Sequence, residues 1–375
     1  MSREQEPEDS ASVATIGATS ETAKCGLNSV RAAQQGAARY QEVAQQWRNT
    51  SPECLAGRLA EEMHATTFNV DAAAKRLNDL KAVTGAANGT PTAAADLTIM
   101  NGSKAVDAVQ VKYHATPAGT TIHISDAKYD GMQRVVPSDQ AARVRELASK
   151  RGVDGLGRRN YPDVAKNASD RIRSHGAESS PVSRAEALDA AKNTSRVAGD
   201  LVNGRIVCAV KSGAVMGGAV GGGVSAISNL VAYAKGKRSG KDALVDVTKD
   251  TAVCAATGAG VSGAAVMVEA GLIRAGVGAL AGGAAPVAIG VTAVEMVKDV
   301  GRFVVGDIDG VQLAINAGKN VVKGGATWGG MEAGAMIGTK IFPGFGTAVG
   351  GIIGGIGGAL SASLLTEGAQ RAWRG

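Results

Sequence analysis

Closely spaced cysteines are missing from this chain, and with them two common kinds of site. No C-x-x-C pair and no Cys/His cluster has the spacing of a zinc site. A reduced, cytosolic history is the simple interpretation. No motif frames a serine or cysteine nucleophile, so Ser-His-Asp and Cys-His catalysis have no support. The N-terminus lacks a basic segment followed by an apolar run, so no signal peptide is predicted. The four cysteines are Cys25, Cys54, Cys208 and Cys254.

Aromatic residues are also scarce, whereas glycine is abundant and unevenly placed. Glycine accounts for 52 of 375 residues, most of them after residue 204. This skew predicts an α+β chain of two dissimilar halves. The predicted segments are a disordered N-terminus at 1–24, a helical segment at 25–54, an α/β domain at 55–152, a linker with short helices at 153–204, and an all-α glycine-zipper domain at 205–375.

A hairpin predicted over residues 95–114 carries the strongest functional signal. Asp96 opens its first strand, and Asn101-Gly102 is a good turn pair. Side chains at positions i and i+2 of a strand point to the same face, so Gln110, Lys112 and His114 share one face. The sequence therefore predicts an acid at the end of one strand beside a Q-x-K on the next.

The order of predicted elements from residue 55 to 151 is helix, three strands, a loop or helix, a strand and a helix. With Asp96, Gln110 and Lys112, this order resembles the core of the PD-(D/E)xK nucleases, the restriction-endonuclease-like fold, in its Mrr-type QxK variant. The resemblance implies that Glu61 or Glu62 supplies a further acid from the preceding helix. It departs from the family because Gln110 replaces the usual acid and Ala95, not proline, precedes Asp96.

The resemblance implies a Mg²⁺ or Mn²⁺ cofactor held by Asp96, Gln110 and Glu61, since Mg²⁺ prefers oxygen ligands. Gln110, Asp96, Lys112 and Glu62 form the predicted catalytic set, in which Lys112 stabilises charge on the phosphate. The alternative is that Asp96 is a turn residue and Lys112 a solvent-facing strand residue.

Three basic residues are predicted to contact the substrate, which is DNA. They are His114, Lys128 and Arg134. A plain loop that leads into a core strand is the alternative for 128–140. The net charge of +6 permits a nucleic-acid or anionic-membrane partner without choosing between them.

Uncharged runs dominate the C-terminal half, at 213–234, 275–294 and 341–366. Glycines recur every fourth residue, as in 346–358, which lets helices approach closely in membrane interfaces. Runs of this length match the bilayer requirement of about 20 residues. We therefore expect transmembrane helices. A bundle that inserts only on delivery and a low-complexity tail are the alternatives.

Taken together, these features predict a DNA endonuclease joined to a membrane-active domain, as in a bacterial toxin, an effector or a defence nuclease. The expected location is the bacterial inner membrane with the nuclease domain in the cytoplasm. The expected partners are DNA, a lipid bilayer and further copies of the chain, bound through the glycine-rich helices. The alternative is a non-enzymatic, pore-forming protein whose α/β domain binds a partner.

Overall fold

Two compact units make up the chain. Residues 28–205 form the α/β unit, and residues 1–27 with 206–375 form the helical unit. The computed structural model describes residues 8–87, 94–152, 159–234, 237, 239–274, 285–304, 306–308, 312–313, 315–322, 325–326, 329 and 333.

The helices and strands alternate irregularly along the chain. The helices are α1 (Glu8–Gln46), α2 (Pro52–Ala74), α3 (Pro117–Ile124), α4 (Ala141–Arg151), α5 (Tyr161–Asn167), α6 (Arg184–Lys192), α7 (Thr194–Ala234), α8 (Gly240–Arg274) and α9 (Ala285–Val304). The strands are β1 (Leu80–Thr84), β2 (Leu97–Asn101), β3 (Lys104–Val111), β4 (Gln133–Val135), β5 (Ala168–Ser169), β6 (Arg173–Ser174) and β7 (Ala177–Glu178).

The α/β unit is built on a five-stranded mixed sheet in the order β1-β2-β3-β4-β5. The first three strands are antiparallel neighbours, whereas β4 runs parallel to β3, and β5 parallel to β4. Such a parallel pair needs a crossover connection. Helix α3 lies in that connection, where the order of predicted elements had a loop or a helix. The predicted α+β class is confirmed.

Local sequence explains the elements that hold the site. Ser51 caps α2, because its side chain accepts a hydrogen bond from the Cys54 amide at 3.3 Å. Pro52 then occupies the first turn, where a missing N–H costs nothing. The β2–β3 hairpin turns at Gly102, whose φ of 60° favours glycine. Helix α2 continues to Ala74.

One apolar core joins α2 to the sheet. Phe68 from α2 and Leu97, Ile99 and Val109 from β2 and β3 are fully buried in it. Ile172, from the segment predicted to be a linker, belongs to the same core. A second cluster joins α3, α4 and α5. The α/β unit therefore extends well beyond the predicted limits of 55–152.

Helix α1 also begins earlier than the sequence predicted. Residues 8–24, for which the composition predicted disorder, lie within α1. Its later part packs against the start of α2, where Tyr40 and Val43 share a cluster with Leu59. The segment predicted as helical from residue 25 is thus the second part of one longer helix.

Glycines of α7 lie against α8 in the helical unit. A Cβ added at Gly213 would overlap the Ser262 hydroxyl and the Gly258 carbonyl. One added at Gly217 would overlap the Cys254 carbonyl. These glycines therefore allow the close helix contact that their spacing predicted. The predicted glycine series 346–358 lies outside the described residues.

The prediction of transmembrane helices is wrong for the part of the chain that the structure describes. No helix there is both long and apolar enough to cross a bilayer. The predicted location in a membrane depended on such helices and loses its basis together with them. The physical reason is that run 213–234 lacks charge but is rich in glycine and alanine, which add little hydropathy. Run 341–366 and residues 275–284 lie outside the described residues.

Candidate metal and phosphodiester site

The register of the β2–β3 hairpin brings the predicted site residues together. Leu97 pairs with Val109, so the residue before β2 lies beside the end of β3. The Asp96 amide donates to the Val109 carbonyl at 3.0 Å, which extends the pairing by one residue. Gln110 and Lys112 follow on the neighbouring strand. The predicted contact between Asp96 and the Q-x-K sequence is therefore present.

The Asp96 carboxylate is held through one of its two oxygens. Asp96 Oδ2 accepts hydrogen bonds from the Gln110 side-chain amide, from the Val111 amide at 3.0 Å and from Lys112 Nζ at 3.4 Å. Asp96 Oδ1 accepts none from any described residue. The carboxylate is thus fixed in orientation, and one oxygen is left for a ligand.

Gln110 has an unsatisfied carbonyl oxygen. Its side chain is 1 % exposed, and Oε1 has no hydrogen-bond partner within the described residues. Buried polar atoms without a partner are uncommon and call for an explanation. Rotation of the amide by 180° would place this oxygen, instead of the nitrogen, beside Asp96. Only an added positive charge would make that arrangement favourable, so Gln110 is suited to a cation.

Glu61 contributes a second carboxyl group from α2. Burial, and then the nearby charge of Asp96, raise the pKa of Glu61 to about 8. Arg58 and Lys112 lower that pKa without offsetting the burial, although Arg58 lies 3.3 Å from the Glu61 carboxylate. Glu61 is therefore mostly protonated at neutral pH and would ionise if a cation arrived.

Glu62 belongs to a different environment, and the catalytic role predicted for it is corrected here. It is 4 % exposed. Its carboxylate accepts from Thr84 Oγ1 at 2.9 Å and from Arg39 at 3.3 Å, and none of its hydrogen bonds reaches Asp96 or Lys112. Successive helical residues point about 100° apart, so α2 can present only one of the pair to the site. That residue is Glu61.

Two of the predicted substrate contacts remain accessible. His114 is partly buried and stacks on His123, with ring centroids 4.0 Å apart. Burial, with smaller effects of His123 and Lys112, lowers the pKa of His114. Lys128 is exposed and lies 4.9 Å from the centroid of the Tyr129 ring, which also contacts Lys112 at 5.5 Å. Lys128 is thus connected to the site through Tyr129.

Arg134 cannot contact a substrate, which corrects the prediction. It is fully buried. Its guanidinium forms ion pairs with Asp163 at 2.5 Å and with Asp130 at 2.6 Å, and it also donates to the Ile124 carbonyl. Asp163 lies on α5, Asp130 lies between α3 and β4, and Ile124 ends α3, so Arg134 joins the elements around the crossover. Arg134 lies on a core strand, where it pairs with Gln110, and this position was the available signal that its side chain is buried.

Sequence reasoning missed two cations, Arg58 and Arg184. Both line a cavity of about 400 Å³ that also contains Glu61, Lys112 and His114. Arg58 precedes Glu61 by three residues, a helical spacing at which oppositely charged side chains meet. No sequence signal identifies Arg184, because it reaches the cavity only through packing of α6 against α2.

The ligand set is sparse by the usual standards of metal sites. Among the described residues, no group of three or more His, Cys, Asp and Glu side chains could hold a metal ion. The candidate set here is two carboxyl groups, from Asp96 and Glu61, and the amide oxygen of Gln110. Mg²⁺ commonly takes only one or two carboxylates and keeps several waters, so this set is sufficient for it.

Comparison of the chain with protein-family models, curated proteins and solved structures finds no match. The function is therefore inferred from the geometry of the site.

Proposed function

We propose that the α/β unit is a divalent-metal-dependent phosphodiesterase that cuts DNA. One observation carries the proposal. Asp96, Gln110 and Lys112 converge where β2 begins and β3 ends, with Glu61 facing them from α2, and the group retains an unpartnered carboxylate oxygen and an unpartnered amide oxygen. A purely structural cluster would be expected to satisfy the amide oxygen.

Mg²⁺ or Mn²⁺ fits these residues. Asp96 Oδ1, the Gln110 carbonyl oxygen and Glu61 would hold it. When bound, such an ion neutralises phosphate charge and activates water for attack. Glu61 gives up its proton on ionising, so binding would be coupled to proton release.

Lys112 would supply a positive charge that offsets the negative charge gained by the phosphate during cleavage. Its side chain is 25 % exposed and its Nζ lies 3.4 Å from Asp96 Oδ2, so the side chain is positioned but still accessible. A cation held in place before the reaction stabilises developing negative charge without reorganisation. Asp96 thus both orients Lys112 and holds the metal.

Two further features support DNA cleavage. The observed order from α2 to α4 is a helix, three antiparallel strands, a helix, a parallel strand and a helix. This order resembles the PD-(D/E)xK core. The net charge of +6 favours a polyanionic substrate, and exposed Lys128 is placed to contact a phosphate backbone.

Cleavage of plasmid DNA by the purified full-length protein tests the proposal. We expect nicking or linearisation with Mg²⁺ or Mn²⁺ and none with EDTA. Asp96→Asn should reduce the rate by about 10²–10³-fold, the scale of a lost electrostatic contribution to catalysis. Asp79→Asn is the matched control, because Asp79 is exposed and precedes β1, whose first residue pairs with Asn101 at the opposite end of the hairpin.

If Asp96→Asn and the wild type cleave plasmid DNA at equal rates, the assignment of this site is wrong. Binding of DNA without metal-dependent cleavage would instead favour the partner-binding alternative.

A further inference from the structure

The cavity beside the site is formed by three elements. Its volume is about 400 Å³, within the range of roughly 300–1,000 Å³ that is typical of small-molecule sites. Helix α2 contributes Cys54 and Arg58, the end of β3 leads into Lys112 and His114, and α6 contributes Arg184. The cavity is thus continuous with the proposed catalytic cation but extends towards α6, away from Asp96.

Among the cations that line this cavity, Arg184 has the fewest partners for its charged group within the described residues. Its backbone amide donates to Asp139 at 3.0 Å, but its guanidinium makes no hydrogen bond or ion pair with any described residue. By contrast, Lys112 pairs with Asp96, and Arg58 pairs with Glu61. Hydrogen bonds from its own backbone amide and from Ser51 lower the pKa of Glu53, and the nearby charge of Arg184 adds a smaller effect. A partly buried arginine with a vacant planar fork is suited to a phosphate.

Apart from the carboxyl groups of Glu53 and Glu61, the remaining wall of the cavity is less polar. Ala187 and Leu188 of α6 and Ala56 and Gly57 of α2 lie along it. A ligand that matches the whole cavity therefore has an anionic group near Arg184 and Lys112 and an uncharged body against the helices. A nucleotide has this composition, whereas a free anion would leave the apolar wall uncovered.

We propose that this cavity binds one nucleotide of the DNA substrate, next to the phosphate that is cut, with Arg184 holding the neighbouring phosphate. This assignment rests on the proposed function and makes it more specific. It places α6, far from Asp96 in the sequence, in the substrate-binding surface.

Cys54 provides a direct readout, because it is exposed and lines the cavity. N-ethylmaleimide labelling of the full chain is followed at the Cys54 peptide by mass spectrometry, without metal or DNA. Deoxythymidine 5′-monophosphate at about ten times its dissociation constant should slow labelling about tenfold, since only the free fraction reacts. Cys208, which is exposed and absent from the cavity wall, is the internal control. Thymidine should protect much less.

Arg184→Gln should abolish the protection by the nucleotide. Arg143→Gln removes the same charge from an exposed arginine of α4, which pairs with Glu146 at 2.5 Å, and should leave protection unchanged. Equal protection in Arg184→Gln and the wild type, equal protection by inorganic phosphate, or no protection by the nucleotide would each overturn the proposal.

Plasmid cleavage is measured on the same preparations. If the nucleotide does not protect Cys54 of the wild type from labelling but cleavage still occurs and depends on Asp96, only the cavity assignment is refuted. Absence of any metal-dependent cleavage refutes the proposed function itself.

Discussion

Glu61 and Glu62 are consecutive residues with opposite contributions to stability. Glu61 is buried beside a like charge, which raises its pKa to about 8, whereas Glu62 is buried with two hydrogen-bond donors, Arg39 and Thr84. An acid whose folded-state pKa exceeds its unfolded value destabilises the protein progressively as the pH rises between those two values. The two glutamates therefore allow a matched comparison.

We predict that Glu61→Gln raises the free energy of unfolding and that Glu62→Gln lowers it. Relative to the wild type, the gain for Glu61→Gln should grow between about pH 4.5 and 8 and reach a few kcal/mol, at about 1.4 kcal/mol for each pH unit of pKa difference. The loss for Glu62→Gln should be about 1–3 kcal/mol, the cost of a disrupted buried charge pair.

Urea unfolding at several pH values measures both effects. If the difference in unfolding free energy between Glu61→Gln and the wild type does not change with pH, Glu61 is ionised near neutral pH. Its pKa would then not be raised by burial, and the prediction would be wrong.

At the scale of elements, a buried histidine connects α2 to the segment after β3 and to the segment after β7. The two ring nitrogens of His64 lie 3.0 Å from Ser179 Oγ and 3.0 Å from the Tyr113 hydroxyl. Tyr113 in turn donates to the Val182 carbonyl at 2.7 Å. Burial lowers the pKa of His64 to about 4. The packing of these segments therefore requires a neutral imidazole.

We predict that His64 makes the protein less stable in acid. Between about pH 6.5 and 4 the unfolded chain binds a proton at His64 that the folded protein does not, so stability falls as the pH falls through that window. The loss should approach about 2–3 kcal/mol. The difference between wild type and His64→Gln, measured by denaturant unfolding at pH 7 and pH 4.5, isolates this effect. Parallel pH profiles would rule it out.

Glycines of α7 provide a second test at this scale. Gly217→Ala should lower the melting temperature, because the added methyl group overlaps the Cys254 carbonyl and overpacking costs about 1–3 kcal/mol. Gly204→Ala, in the same helix, meets nothing within 4 Å and should stabilise the helix by about 0.5–1 kcal/mol. Circular dichroism melting distinguishes them. A similar rise for both variants would mean that the α7–α8 contact is looser than described.

At the scale of the whole molecule, the extent of the α/β unit decides which fragment can fold. We predict that a fragment of residues 28–205 is folded and retains metal-dependent cleavage, whereas 55–152 is not folded. The shorter fragment lacks β5, which pairs with β4, and lacks Ile172 and Ala177 of the main core. Amide hydrogen exchange of the two fragments checks this. Strong protection in 55–152 would show that the later segments are dispensable.

Local patterns in the sequence were sufficient for several parts of this structure. The cap of α2 at Ser51 and the hairpin of β2 and β3 depend on neighbours within a few residues. The meeting of Asp96 with Gln110 and Lys112 follows from the same hairpin register. These features were predictable because period-2 and period-3.6 spacing and turn chemistry are local.

Tertiary packing decided the rest. Whether α2 presents Glu61 or Glu62, whether Arg134 meets solvent or Asp163, and whether Arg184 reaches the cavity depend on elements far apart in the chain. The transmembrane prediction is wrong for the described residues, because the uncharged run 213–234 is rich in glycine and alanine, which add little hydropathy. The described glycines instead allow close packing of α7 on α8. Local sequence was enough to identify which residues could carry chemistry. Which of them share a site depends on the fold, because burial and charge proximity are properties of packed neighbours.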